Sequence, residues 1–421
     1  MVFQWVKSNI EAFGGNPSAI TIFGQSSGAM GVSFHMLIPY NKGLFQRAIV
    51  QSGTVFSSPV LKRSDNQNFM NFLNSKLNCT SSTQFNTSEF VQCLKRKSSA
   101  ELNGVGSEYL YGVTDTHQAI SIAPSIDGEL IIADPDVLLS DKNSYAYKFF
   151  RSLDYMAGTT NGEASHFLGV LSYLNAVQII NINLTDGISN RFLCEKVSQD
   201  MAKVYFKSSQ KATKALCNKY SYHGNEDKLV QQGILVADMN TDLYFIGPTV
   251  KTLKVHENKN TGGKTYQYFF TKTVPGLLSA PVSWFTKAPH GTELAFLFGG
   301  SAFNSLPAGQ NSFSINDSFK ALLMWVFKGK PYNSLSIKNP NSASLPTWEE
   351  YGEDKNYLHL DLNITANRDL FQDKMKLILE DIPRIISQPP NPPPPSSACQ
   401  HSLSLFLPLV AFISYIHNFI F

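Results

Sequence analysis

A glycine-flanked serine that directly follows a short apolar run constrains the fold of this chain more than any other feature. Residues 18–23 (SAITIF) are rich in β-branched side chains and follow Asn16-Pro17, which is typical of a buried strand after a turn. The run leads into residues 24–28 (GQSSG), a G-x-S-x-G pattern, and residues 29–37 behind it can form a helix. Glycine on both sides permits a sharp, strained turn that exposes Ser26 at the end of the strand. The sequence therefore predicts a strand–turn–helix unit that presents a reactive serine; a glycine-rich turn without chemistry is the alternative.

The rest of the chain alternates between strand-like and helix-like segments. Residues 48–51 and 266–270 are short apolar runs predicted to be strands, and residues 317–327 have the periodicity of a helix capped by Asn316 or Asp317. Such alternation predicts an α/β fold with a central, mostly parallel sheet flanked by helices. We find no internal repeat, and residues 1–387 are predicted to form one large domain.

Four of the five cysteines fall into two local pairs along the sequence, Cys79 with Cys93 and Cys194 with Cys217. This spacing favours two short-loop disulfides formed in an oxidising compartment, and buried free thiols are the alternative. The sequence contains no C-x-x-C motif, so it offers no support for a zinc ribbon or a thioredoxin-like site. Neither a metal nor a cofactor is predicted.

The surface composition agrees with passage through the secretory pathway. Only 16% of the residues are charged, whereas about 25% is typical of soluble domains. Sugar could keep such a surface soluble, and the candidate glycosylation sequons are Asn78, Asn86, Asn183, Asn316 and Asn363. The 35 basic and 32 acidic residues leave a net charge of +3 without a long basic run, which argues against a nucleic-acid partner.

The two ends of the sequence carry different signals. The first residues, MVFQWVK, lack the segments of a signal peptide and resemble an amphipathic helix already under way, so we expect the true beginning of the protein to lie upstream. Residues 388–401 are dense in proline and are predicted to form an extended stalk. Residues 402–421 contain no Asp, Glu, Lys or Arg and are predicted to be a hydrophobic C-terminal anchor signal.

Two forms of membrane attachment fit this tail. The small residues Ser396, Ser397 and Ala398 before it match a GPI-attachment signal, and a C-terminal transmembrane helix is the alternative. Either form predicts a domain on the outer cell surface. If Cys399 is retained between stalk and tail, it could join two copies in a homodimer.

Several longer stretches resemble type-B carboxylesterases, the family that includes the cholinesterases. The matching segments are residues 13–28, 51–53 (QSG), 123–128 (APSIDG), 290–293 (HGTE) and 296–299 (FLFG). The resemblance covers roughly residues 2–385 and implies an α/β-hydrolase fold that here lacks its first strands, which would leave an exposed sheet edge. It also implies a carboxylic-ester hydrolase that acts on small-molecule esters without a cofactor. It pairs Cys79 with Cys93 as a loop disulfide, whereas the second pairing rests on spacing alone.

The resemblance assigns a Ser–Glu–His triad in that chain order. Ser26 would be the nucleophile, with the backbone N–H of Ser27 as an oxyanion donor. Glu163, at the end of a GTTNGE stretch, would be the acid, and His290 would be the base. Each of these residues lies in a matching local motif, which separates it from the other serines, carboxylates and histidines of the chain.

Three departures from the family pattern bear on substrate choice. Most members have Glu before the nucleophile, where this chain has the neutral Gln25. His166, next to Phe167, occupies a position that in cholinesterases carries an aromatic residue stacking on choline. Gln118 and Ile120 stand where acetyl-selective cholinesterases narrow the acyl pocket with two phenylalanines. These substrate-pocket residues indicate a general carboxylesterase that accepts acyl groups larger than acetyl, more than a cholinesterase.

Part of the family pattern lies upstream of the residues in this sequence. In the family, a Gly-Gly segment with further oxyanion N–H groups and the main choline-binding tryptophan lie upstream of the elbow; Trp5 is instead predicted to be a core residue. Loss of one oxyanion donor costs about 10²–10³ in rate, so this chain can be inactive by itself even where its full-length parent is an enzyme. A non-catalytic adhesion protein of the neuroligin kind is the alternative function, although such relatives typically lose a triad member.

Overall fold

The computed structural model describes residues 1–57, 63–80, 86–111, 124–224, 228–257, 262–273, 281–298 and 346–388. The chain divides into one compact unit, Met1–Ile386, and a second unit, Ser387–Phe421. Within the described residues, the strands form one mixed sheet flanked by helices, so the predicted α/β fold class is confirmed. Apart from Gln388, the predicted stalk and anchor lie outside the described residues; none of the helices described is long and apolar enough to cross a membrane.

The strands of the sheet lie side by side in chain order. They are β1 (Thr21–Gln25), β2 (Arg47–Gln51), β3 (Asp154–Thr160), β4 (Thr265–Phe270), β5 (Asn356–Leu360) and β6 (Thr365–Arg368). Strands β1 to β5 are parallel, and β6 runs antiparallel to β5. Because parallel strands all end at the same edge of a sheet, the residues that follow β1, β2 and β3 meet there. In the part of the sheet that is described, β1 is an outer strand, and its Phe23 is 45% exposed.

Helices connect the strands and pack on the sheet. They are α1 (Val2–Asn9), α2 (Ser27–His35), α3 (Arg63–Leu77), α4 (Thr87–Arg96), α5 (Ser99–Tyr111), α6 (Pro135–Ser140), α7 (Tyr145–Ser152), α8 (Ser165–Ala176), α9 (Asn190–Phe192), α10 (Ser198–Tyr205), α11 (Gln210–Tyr220), α12 (Leu229–Thr241), α13 (Gly247–His256), α14 (Glu293–Phe298), α15 (Gln372–Lys376) and α16 (Ile382–Ser387). Shorter 3₁₀ turns span Ile10–Phe13, Pro39–Asn41 and Leu184–Asp186, and π-helical turns span Leu193–Val197, Asp242–Ile246 and Leu377–Asp381.

Neighbouring residues of the central strands pack into different apolar cores. On β2, Ala48 and Val50 pack with residues of α2 and α7, whereas Ile49 lies in a second core with Met156 and Tyr266. This alternation follows from the pleat of a strand, which points successive side chains to opposite faces. Because apolar cores cover both faces of the sheet, the central strands are continuous apolar runs in the sequence.

The first predicted strand begins later than the sequence indicated. The Ser18 N–H donates to Asn16 Oδ1 at 2.8 Å and the Ala19 N–H donates to Asn16 O at 3.0 Å, so the residues after Asn16 form a turn. The strand then starts at Thr21. The helix behind the serine begins and ends slightly earlier than predicted, because Ser26 alone makes the turn and α2 starts at the next residue.

Trp5 is not a core residue, so that prediction was wrong. It lies on α1, is 57% exposed and contacts Phe13. Phe3 instead packs edge-on against Phe45 and His35. Positions two apart lie on nearly opposite faces of a helix, so α1 turns Phe3 inward and Trp5 outward.

Both predicted disulfides are present in the structure. Cys79–Cys93 joins the chain just after α3 to α4, and Cys194–Cys217 joins a π-helical turn to α11. The alternative of buried free thiols is therefore wrong for these four cysteines. Cys399 and the predicted helix at residues 317–327 lie outside the described residues.

Candidate active site

A sharp turn at Ser26 joins β1 to α2. Ser26 has φ 57° and ψ −124°, a backbone conformation that is rare and strained for a residue with a side chain. The turn brings the backbone so close together that a Cβ atom on Gly24 would lie 2.4 Å from the carbonyl group of Gly28. A Cβ atom on Gly53, at the end of the neighbouring strand, would lie 2.6 Å from Ser26 O. Glycine is therefore required at both positions for Ser26 to adopt this turn.

Ser26, His290 and Glu163 form one continuous hydrogen-bonded chain. The Ser26 Oγ lies 2.8 Å from His290 Nε2, and His290 Nδ1 lies 2.5 Å from Glu163 Oε2. Ser26 follows β1, Glu163 follows β3, and His290 lies in the turn just before α14. The three side chains that the sequence assigned to one site thus meet at the carboxyl edge of the sheet, in an arrangement suited to moving a proton off the serine hydroxyl.

The Glu163 carboxylate is fully buried and held by donors on both oxygens. Its Oε1 accepts the Ser52 hydroxyl at 2.5 Å and the Thr160 N–H at 2.6 Å, while Oε2 faces His290. A buried carboxylate needs such donors, because each unpaired oxygen would carry a desolvation cost. The carboxylate is therefore fixed in orientation toward the His290 ring.

The loop that carries His290 is fastened to β3 and α8. The Ala288 N–H donates to Asn161 Oδ1 at 2.8 Å, and the His290 N–H donates to Ser165 Oγ at 3.1 Å. A Cβ atom on Gly162 would lie 2.3 Å from Ala288 O, so the two segments approach as closely as glycine allows. These contacts set the ring position relative to Ser26.

Two opposing effects act on the pKa of His290. Burial alone would lower this pKa, but the charge of Glu163 and the hydrogen bond to it outweigh burial, with a smaller contribution from Glu293, and raise the pKa above its ordinary value. A raised pKa makes the ring a stronger base, and the proton on the charged ring is stabilised by Glu163. His290 is therefore equipped to accept a proton from Ser26.

Glu293 is a second buried carboxyl group near the site, and the sequence reasoning missed it. It is fully buried, and Gln51 Nε2 lies 3.4 Å from its Oε1. Burial, and after it the nearby charge of Glu163, raises the pKa of Glu293 to about 7. The HGTE stretch was the available signal, since it places a carboxyl group three residues after the predicted base.

Of the predicted substrate-pocket residues, Gln25 and His166 lie beside His290. Gln25 Nε2 lies 3.2 Å from His290 Nε2, and the His166 ring centroid lies 6.0 Å from that of His290. Phe167 is instead 2% exposed in the apolar core, because the next residue of α8 points about 100° away around the helix. Gln118 and Ile120 lie outside the described residues.

Two aromatic residues of the site had no sequence signal. The Phe245 ring lies 4.9 Å from the His290 ring and 5.4 Å from the His166 ring, and the Tyr244 ring lies 5.8 Å from His166. Both belong to the π-helical turn Asp242–Ile246. This turn forms an apolar wall beside the histidine, of the kind that lowers the local dielectric constant around a charge.

The backbone N–H of Ser27 faces no partner within its own helix, because it belongs to the first residue of α2. The positive end of the helix dipole lies at the same place, which favours a negative charge next to Ser26. Across the described ranges, no group of three His, Cys, Asp or Glu side chains is placed to hold a metal ion.

The sequons that fall within the described residues are all exposed. They are Asn78, Asn86, Asn183 and Asn363, and Asn316 lies outside these residues. At one of them, the Thr185 hydroxyl donates to Asn183 Oδ1 at 2.6 Å. Each of the four is therefore accessible to a modifying enzyme.

Comparison with known proteins matches this chain to one family along most of its length. The model described as "Carboxylesterase family" matches residues 1–378. Carboxylesterase 5A of Canis lupus familiaris is 28% identical over 412 residues, which cover 96% of this chain and 64% of the relative. Carboxylesterase 1C of Mus musculus is 28% identical over 359 residues, which cover 85% of this chain and 57% of the relative. Carboxylesterase 4A of Bos taurus is 27% identical over 385 residues, which cover 88% of this chain and 62% of the relative. The chain thus spans about three fifths of the length of the curated relatives it matches.

Proposed function

The chain belongs to the carboxylesterase family, and on that premise we propose that it hydrolyses carboxylic esters through an acyl intermediate on Ser26. The observation that carries this proposal is the continuous path from Ser26 Oγ to His290 Nε2, at 2.8 Å, and from His290 Nδ1 to Glu163 Oε2, at 2.5 Å. A serine hydroxyl next to a base that is itself oriented by a carboxylate is an activated nucleophile. The reaction follows in two halves.

In the first half, Ser26 Oγ attacks the ester carbonyl carbon while its proton passes to His290 Nε2. The carbonyl oxygen becomes an oxyanion, and Glu163 stabilises the charged imidazolium. The bond between the carbonyl carbon and the alcohol oxygen then breaks. His290 returns its proton to that oxygen, so a neutral alcohol leaves and an acyl ester on Ser26 remains.

In the second half, water takes the place of the alcohol. His290 accepts a proton from the water as its oxygen attacks the acyl carbon, and the bond to Ser26 Oγ breaks. The proton returns from His290 to Ser26 Oγ, and a carboxylic acid is released. The resting enzyme is restored without a cofactor.

The N-terminus of α2 would stabilise the oxyanion in both halves. The Ser27 N–H lies next to the nucleophile in sequence and has no partner within its helix. One such donor is worth about 10²–10³ in rate, so the rate also depends on how many further donors reach the oxyanion.

We propose neutral esters as the substrate class. Gln25 lies beside His290 without a charge, and the His166 ring occupies the adjacent position. Gln25 carries no carboxylate, and the imidazole of His166 attracts a quaternary ammonium group more weakly than a larger aromatic ring would. Gln118 and Ile120, which the resemblance sets where acetyl-selective cholinesterases have two phenylalanines, support a preference for acyl groups larger than acetyl.

We also propose an extracellular, glycosylated protein attached to the outer cell surface, with residues 402–421 as the anchor signal. The two disulfides and the four exposed sequons support the extracellular placement. Release of the protein from cells by phosphatidylinositol-specific phospholipase C would favour a GPI anchor. Retention together with a reducible dimer that Cys399→Ser abolishes would favour a spanning tail.

Hydrolysis of p-nitrophenyl butyrate by the full-length protein tests the proposed reaction. We expect a rate that Ser26→Ala and His290→Asn each lower by at least about 10³-fold, with a burst of p-nitrophenol from the unaltered protein where deacylation is slow. Equal rates for the full-length protein and its Ser26→Ala variant would contradict the proposal and favour a non-catalytic adhesion protein.

A further inference from the structure

Gln25 contacts the histidine of the site directly. Its Nε2 lies 3.2 Å from His290 Nε2, on the same ring nitrogen that the Ser26 Oγ approaches at 2.8 Å. The amide also lies near Gly291, where an added Cβ atom would lie 3.4 Å from Gln25 Nε2. The amide thus lies within hydrogen-bond distance of the ring nitrogen that also faces Ser26.

The hydrogen bonds of His290 decide the direction of this contact. Glu163 Oε2 faces Nδ1 at 2.5 Å, so the proton of the neutral ring lies on Nδ1. Nε2 then carries a single in-plane lone pair and can only accept. The Gln25 amide N–H and the Ser26 hydroxyl therefore donate to the same lone pair.

Protonation of His290 reverses this relationship. Nε2 then carries a hydrogen and points it at an NH₂ group, which is a contact between two donors. The Gln25 amide must turn over to present its Oε1, so the charged ring gains less from Gln25 than a carboxylate in the same place would supply.

The sheet places Gln25 and Gln51 side by side. The two residues are register partners at the carboxyl ends of β1 and β2. Partners in a parallel sheet project to the same face. The Gln25 amide contacts His290, and the Gln51 amide contacts Glu293. Each of the two strands therefore ends in a neutral amide that lies against a titratable group of the site.

The other titratable groups that face His290 come from three elements. Glu163 follows β3, Glu293 begins α14, and His166 lies on α8. The Tyr268 hydroxyl of β4 faces the two glutamates. Gln25 is the neutral contact that β1 contributes.

Resting on the proposed function, we propose that Gln25 is a positioning residue: its amide donates to His290 Nε2, favours the neutral, Nδ1-protonated ring and thereby sets how readily His290 takes the Ser26 proton. Beside Gln25, the His290 ring therefore stays neutral and able to accept a proton down to a lower pH than it would beside a carboxylate. The same amide keeps the ring plane aligned with Ser26 Oγ.

Titration of His290 by NMR tests this role without requiring catalysis. The full chain is labelled in its histidine rings, and the His290 signal is identified by its loss in His290→Asn. We expect Gln25→Glu to raise the titration midpoint of His290 by about one unit or more, a tenfold gain in proton affinity, because an opposite charge is brought within hydrogen-bond distance. Gln25→Met, which removes the donor without adding a charge, should raise the midpoint by less.

A remote charge and a second readout complete the design. Gln92→Glu adds the same charge at an exposed position of α4 and should leave the His290 midpoint unchanged. A midpoint that does not move in Gln25→Glu would overturn the proposal, whatever the activity of the chain.

The pH dependence of organophosphonate labelling at Ser26 is measured on the same variants. A midpoint that rises in step with the labelling profile supports both Gln25 and the proposed reaction. If the midpoint rises and labelling is absent or keeps its pH profile, the Gln25 contact stands while His290 is not the base for Ser26.

Discussion

Ser52 donates its hydroxyl to Glu163 Oε1 at 2.5 Å, so the carboxylate beside His290 is held by the strand next to its own. Ser52 follows β2 and is fully buried, with a left-handed φ of 55°. With Thr160 donating to the same oxygen, the carboxylate cannot rotate away from His290. The register of β2 against β3 thus determines the orientation of a side chain in the site.

Removal of the Ser52 hydroxyl should slow catalysis without weakening substrate binding. We expect Ser52→Ala to lower kcat about tenfold or more with KM little changed, because a hydrogen bond to a charged group contributes about 1.5 kcal/mol or more. Ser57→Ala is the control. It removes another buried serine hydroxyl, which accepts a hydrogen bond from the Thr54 N–H at 3.1 Å and does not contact Glu163, so it should leave kcat unchanged. Equal kcat values for both variants would show that Ser52 does not position Glu163.

Glu293 should make the folded state less stable as pH rises. Because its pKa in the folded protein is about 7, above its ordinary value of 4.5, the folded state binds a proton that the unfolded state has already released between these values. The free energy of unfolding should therefore fall by up to about 3 kcal/mol as pH rises from 4.5 past 7.

Glu293→Gln keeps the shape of the side chain and removes the titration. In urea unfolding, we expect this variant to match the unaltered chain at pH 4.5 and to be the more stable of the two at pH 8. A difference between the two proteins that is the same at both pH values would contradict the raised pKa of Glu293.

Lys374 compensates the buried carboxylate of Asp242. Its Nζ lies 2.9 Å from Asp242 Oδ2, and the Tyr220 hydroxyl donates to the same oxygen at 2.8 Å. Burial raises the pKa of Asp242 to about 6, although Lys374 opposes the rise. Loss of this cation should leave a buried carboxylate with too little compensation.

Lys374→Met should accordingly destabilise the protein by about 3–5 kcal/mol at pH 8, where Asp242 is ionised. The loss should shrink toward pH 5, because Asp242 without its cation takes up a proton at higher pH. Lys376→Met on the same helix removes a half-exposed pair with Asp381 and should cost less than about 1 kcal/mol. Equal losses for the two variants in urea unfolding would contradict a special role for Lys374.

Ester selectivity should follow the neutral character of Gln25 and His166. We expect butyryl esters to react at least as fast as acetyl esters, with little preference for choline over an uncharged isostere such as 3,3-dimethylbutanol. The measurement is kcat/KM for matched pairs of esters. A preference for acetylcholine of about a hundredfold, or about 2.7 kcal/mol, would contradict the predicted pocket.

The sequence predicted local features better than distant ones. The turn at Ser26 was predictable because β-branched residues and flanking glycines act within a few positions of each other. Glu163 and His290 lie far from Ser26 in the chain, and only the resemblance to a family placed all three in one site. Periodicity and spacing cannot supply such pairings, since they depend on which strands are neighbours.

The contacts that the sequence did not indicate all arise from tertiary packing. Ser52 and Glu293 look like ordinary polar residues until strand register and helix placement bring them to the site. Phe245 reaches His290 through a π-helical turn, which has no reliable sequence pattern. Trp5 was misplaced because an apolar side chain on an amphipathic helix does not reveal which face the fold covers.

Covalent labelling at Ser26 tests the central claim most directly. The full-length protein is treated with an organophosphonate probe, and the modified residue is identified by mass spectrometry after proteolysis. We predict modification of Ser26, abolished in Ser26→Ala and retained in Ser27→Ala, which keeps the backbone N–H of residue 27. Modification of Ser27 or Ser52 in place of Ser26, or equal labelling of Ser26→Ala and the unaltered chain, would contradict the claim that Ser26 is the nucleophile.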